Sequence, residues 1–74
     1  MVKINWDEFK EYKVHNPNRE NFDLVISFMR SYYNMTSPMD MYDSLAVDGL
    51  GQMLLEKKDI RSVEDLEDYI YQSR

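Results

Sequence analysis

Apolar residues recur along this chain at intervals of three and four, in blocks separated by short polar junctions, and no stretch alternates long enough for a strand. The first block opens with Asn5 as N-cap, Glu8 as the other half of a capping box, and Ile4 and Phe9 spaced as a hydrophobic staple. A helix is predicted from Trp6, with Trp6, Phe9 and Tyr12 or Lys13 as a narrow stripe and "HNPN" as its stop. Asp7 and Glu8 suit the positive end of its dipole.

The second block, beyond Pro17, puts Phe22, Val25, Ile26, Met29 and Tyr33 on one face, and Leu24, Phe28 and Tyr32 widen the stripe. Such breadth predicts a central helix touched from several sides. The third begins at Ser37 as cap, with Pro38 at the first helical position, where its missing N–H costs nothing, and Asp40 near the dipole. Met39, Tyr42, Leu45, Ala46, Leu50, Met53 and Leu54 keep helical spacing as far as Lys58.

Gly49 and Gly51 interrupt that run, each costing close to 1 kcal/mol against alanine. Either "VDGLG" is a turn between Pro38–Val47 and Leu50–Lys58, or Gly49 lets a neighbouring backbone approach; the turn is the preferred reading. The last block opens at Ser62, with Asp65 three residues on, and lines up Val63, Leu66, Tyr69 and Ile70. Its acids Glu64, Asp65, Glu67 and Asp68 read first as a solvated helix start and, in the alternative, as an acidic binding face. The fold expected is all-α: one domain over residues 1–74, a bundle of four short helices, or five if the glycines break the third.

Composition narrows what such a bundle can do. With 74 residues it buries only about 60% of the surface its unfolded chain exposes, and without cysteine it has neither disulfides nor thiolate zinc sites to staple it. A net charge of -5 argues against direct binding of nucleic acid or an anionic membrane, so the expected partner is a protein, basic or nucleic-acid-binding. No run reaches the eighteen or so apolar residues of a membrane span, and "MVKINWDEF" lacks the apolar stretch of a signal peptide. A cytoplasmic location is expected.

Candidate chemistry is thin. His15, the only histidine, lies at the end of the first helix and cannot build a zinc site alone. Asp40, Asp43 and Asp48 do not sit at the alternate positions of a calcium loop, and "DGLG" lacks the spacing of a phosphate loop. No enzyme, metal or cofactor is expected. Asp43-Ser44-Leu45 resembles the modification site of acyl carrier proteins, and "IRSVEDLEDYI" is similar to that family's last helix. The resemblance would make Ser44 the attachment point for phosphopantetheine. It covers only those two stretches, Met41-Tyr42 replaces the usual preceding glycine, and too few residues separate Ser44 from Ser62 for the family's intervening helices. Ser44 therefore stands as a minor alternative and the family is not assigned.

What remains is a surplus of tyrosine and methionine in "SYYNMTSPMDMYDSL". Met29, Tyr42 and Met53 fall on the main stripes and are expected in the core. Tyr32 and Tyr33 point about 100° apart on a helix, and Met39 and Met41 about 200° apart, so one of each pair is expected outside. Tyr69 and Tyr71 flank Ile70, which claims the buried direction. Methionine and tyrosine are suited to interfaces, which makes Tyr32, Tyr33, Met39, Met41, Asp40 and Asp43 the candidate partner-binding residues. The leading expectation is a non-enzymatic protein-interaction module and regulator, such as a phage-type inhibitor of a host protein, with homodimerisation as one use of the surplus. The alternative is an acidic mimic of nucleic acid that blocks a DNA- or RNA-binding protein, with Asp40, Asp43, Glu64, Asp65, Glu67 and Asp68 on one face.

Overall fold

The computed structural model describes residues 3–72, so the outermost two residues at each end of the expected domain lie outside the described part. Five helices follow in order: α1 (Trp6–Val14), α2 (Asn21–Tyr32), α3 (Pro38–Val47), α4 (Gly49–Lys57) and α5 (Val63–Gln72). Among the described residues there is no strand, and no helix is long and apolar enough to cross a membrane. The radius of gyration, 11.2 Å, matches the roughly 11 Å expected of a compact chain this long.

The broad stripe on α2 has the predicted consequence. Leu24, Val25, Phe28 and Met29 are wholly buried, so α2 supplies the largest share of the core; it packs on α1 and α4, while α3 packs on α4 and α5. On one flank, α1 is held by rings: Phe9, Tyr12, Tyr32 and Tyr33 surround Phe28 with centroids 4.9 to 5.7 Å away, and Trp6 meets Phe9 edge-on at 5.6 Å. On another, Phe22 meets Tyr69 of α5 edge-on at 4.8 Å. Such ring pairs add about 0.5–1.5 kcal/mol each beyond the area they bury.

Asn5 caps α1 as expected, its side chain accepting from the Asp7 and Glu8 amides. The predicted box closes differently. The Asn5 backbone amide donates to the Tyr33 hydroxyl at 2.8 Å, so the aromatic C-cap residue of α2 supplies the acceptor assigned to Glu8, and Glu8 engages Tyr32 instead. Ser37 holds the extended backbone of an N-cap, but its side chain makes no capping bond to α3.

At Gly49–Gly51 both sequence readings hold in part. The chain does break, at Asp48, whose extended backbone (φ -97°, ψ 134°) ends α3 and whose carboxylate accepts from the Leu50 amide to cap α4. Close packing is also present, at Gly51 rather than Gly49: a Cβ on Gly51 would lie 2.7 Å from Leu45 Cα, whereas one on Gly49 would meet nothing. The break resets the helical phase. Gly51, Leu54 and Leu55 turn inward, and Met53, expected in the core, points outward because it lies about 200° from Gly51.

Two exits from helices use non-glycine residues in the left-handed region, Asn34 (φ 54°) and Asp59 (φ 55°), residue types that tolerate it. After α4 the Ile60 amide donates to Leu55 O and the Asp59 amide to Glu56 O, a Schellman closure with its usual apolar pair, Ile60 and Leu55, both buried. That closure aims the chain into α5.

Candidate protein-interaction surface

The start of α5 is set by local hydrogen bonds. The Asp65 amide donates to Ser62 Oγ at 3.2 Å, and the Asp65 carboxylate accepts from the Arg61 amide at 3.1 Å. The helix buries Leu66 and Ile70 and half-buries Val63 and Tyr69. Everything else on it, Glu64, Asp65, Glu67, Asp68, Tyr71 and Gln72, is exposed and spans roughly 160° of its circumference at 100° per residue. Tyr71 is 77% exposed in the middle of this acidic face.

α3 packs on α5. The Tyr42 hydroxyl donates to Arg61 O at 2.8 Å, while Thr36 and Pro38 share a cleft of about 330 Å³ with Glu67, Ile70 and Tyr71. The middle of α3 therefore lies by the beginning of α5, and its start by the end of α5. Met41, Ser44 and Leu45 are buried; Met39, Asp40, Asp43 and Val47 fall within roughly 100° on the opposite, exposed side. Neither α3 nor α5 contains a lysine or arginine. Six carboxylates thus stand on two packed helices with Met39, Val47 and Tyr71 exposed among them, and Arg30 and Arg61 border the face.

The predicted partner-binding set divides. Met39, Asp40 and Asp43 share the exposed side of α3, and Met39 is 58% exposed. Met41 must be removed from the set: it is 0% exposed, because the buried side of α3 is centred close to its direction. Tyr33 is half-buried, spent on Phe28 and the Asn5 amide. Tyr32 is 55% exposed, but its neighbours are Phe28, Tyr33 and Glu8, so it belongs to the α1–α2 seam. The Glu8 carboxylate, hydrogen-bonded to the Tyr32 phenol, holds that phenol above the usual tyrosine range. One member of each adjacent pair is exposed, as the helical angles require.

Ser44 is 3% exposed inside α3, so its hydroxyl is not presented for attachment of a prosthetic arm. His15 is the C-cap residue of α1 and exposed. Among the described residues no three histidines or acids are grouped to hold a metal ion. Val47 goes unremarked in the sequence, and Tyr71, whose outward direction Ile70 implies, stands outside the predicted partner-binding set. The signal available was the absence of any cation between Arg30 and Lys57, which isolates the α3 acids from neutralising neighbours. Compared with protein-family models, with curated proteins and with solved structures, the chain has no match.

Proposed function

We propose that this chain is a non-enzymatic binding module that docks a basic protein surface on the acidic faces of α3 and α5, with Met39 and Tyr71 as apolar anchors. The observation that carries the reading is charge segregation: six exposed carboxylates and no cation on two packed helices of a chain that has nine basic residues elsewhere. Such a face steers a basic partner into encounter and repels acidic ones, while the exposed thioether and phenol supply area that water leaves on contact. Acting by occupancy, it works as a regulator or inhibitor in the cytoplasm. A symmetric homodimer through this face is disfavoured, since it would set carboxylates against carboxylates.

A nucleic-acid mimic is the second reading, favoured by the same run of carboxylates, and it narrows the partner to a protein that binds phosphate backbones. Capture of a partner from lysate by immobilised protein tests both. Glu67→Lys with Asp68→Lys abolishes capture, whereas Asp7→Lys with Glu11→Lys, an equal charge change on α1, leaves it intact. Bound partner elutes in 1 M salt, where screening acts within about 3 Å. Displacement by duplex DNA selects the mimic; capture that survives the α5 reversal sinks both readings.

A further inference from the structure

The cations missing from α3 and α5 are not scattered evenly over the rest of the molecule. Lys13 at the end of α1, Arg19 before α2, and Lys57 and Lys58 at the end of α4 line one cleft of about 490 Å³, together with Glu20, Asn21, Phe22 and Leu54. Lysines at helix ends satisfy the dipole individually, but that preference does not collect four cations from three segments around one opening. In a chain with 14 acids, Glu20 is the only one lining it.

We propose that this cleft binds a small phosphate-bearing organic anion of the nucleoside-diphosphate class. Its volume is within the 300–1,000 Å³ typical of small-molecule sites. Phe22 and Leu54 floor the cleft but are only 2% and 4% exposed, so the apolar lining for the ligand's organic body is mostly lysine methylene, and the four cations around the opening offer charge to its phosphates. The cleft also contains the beginning of α2, a twelve-residue helix that Glu20 leaves without a side-chain cap, so its first amides add donors.

Two contacts hold this machinery ready. Lys58 is ion-paired with Glu20 and lies over the Tyr69 ring, 5.7 Å from its centroid, while Arg19 donates to Ser27 Oγ at 3.1 Å. Glu20 acts as a built-in substitute for the ligand, occupying Lys58 until a phosphate displaces it.

Titration of the ¹⁵N-labelled protein with adenosine diphosphate and, separately, with inorganic pyrophosphate tests the assignment by amide chemical shifts. Saturable shifts are expected at residues 19–24 and 54–58, with the nucleotide binding more tightly than pyrophosphate because only it uses the apolar lining. Lys13→Gln with Lys57→Gln weakens binding by about a hundredfold, tenfold for each charge-assisted contact, and Glu20→Gln tightens it by freeing Lys58. Lys3→Gln with Lys10→Gln, the same charge change outside the cleft, leaves it unaltered. Shifts distributed over every lysine, or equal weakening by the two double variants, mean an adventitious ion only and overturn the proposal. Pyrophosphate binding as tightly as the nucleotide removes the organic body. Displacement of the nucleotide by a peptide of residues 62–72 that binds more tightly gives the cleft to the acidic helix of a second copy.

Discussion

The α1–α2 seam and the α3–α4 corner are both helix–helix junctions, but they are built on opposite principles. In the seam, Phe9, Tyr12, Tyr32 and Tyr33 surround Phe28, and one hydroxyl reaches across to the Asn5 amide. In the corner the backbone sets the geometry: Asp48 ends one helix and caps the next, the Gln52 side-chain amide donates to Ala46 O, and Gly51 rests its backbone on that of Leu45. The seam shares its contacts among several rings, so loss of a peripheral ring is graded. The corner depends on the absence of one methyl group, and its failure is abrupt.

The strongest break of that contrast is Gly51→Ala. Its Cβ would meet backbone rather than a flexible side chain, so the helices must separate, at a cost of about 3 kcal/mol or more. Denaturant unfolding should show much of a small domain's margin gone. Gly49→Ala, two residues away in open space, should stabilise by about 0.4–1 kcal/mol through the unfolded chain. Equal effects at the two glycines would refute the backbone contact.

The seam responds more mildly. Tyr33→Phe keeps the ring on Phe28 and leaves the Asn5 amide without its acceptor, which should cost about 1 kcal/mol in the same measurement. No loss would mean that water or Glu8 replaces the hydroxyl.

The smallest effect is a pH dependence. The Tyr32 phenol donates a hydrogen bond to the Glu8 carboxylate, so the folded chain holds this proton more tightly than the unfolded chain, whose tyrosines ionise near pH 10. The contribution is therefore full below about pH 10 and is lost as pH climbs through the raised folded value. In a phenolate absorbance titration, the transition that Tyr32→Phe removes should move to lower pH in Glu8→Gln. An unmoved transition would dissociate Tyr32 from Glu8.

The candidate surface was legible in its parts and not in its assembly. The acids of α5 and the trio Met39, Asp40 and Asp43 could be named from spacing, because a helix turns every residue by a known angle. Tyr32 and Tyr33 were grouped with them by proximity in the chain, yet they face α1, since Phe28 and Asn5 recruit them there. The basic cleft could not be read locally: Lys57 and Lys58 lie far along the chain from Lys13 and Arg19 and join them only when α4 packs on α2.

By itself the sequence determined the helices, their starts at Trp6, Pro38 and Val63, and the broad buried face of α2, because caps and apolar periodicity act over a few residues. Tertiary structure decided which turn donor found which acceptor, which glycine carried the corner, and that Met53 faced out while Met41 faced in. Those outcomes depend on the phase and direction each helix takes after a break. At Asp48 and Asp59 single backbone rotations set that direction, and packing against α2 selects among them.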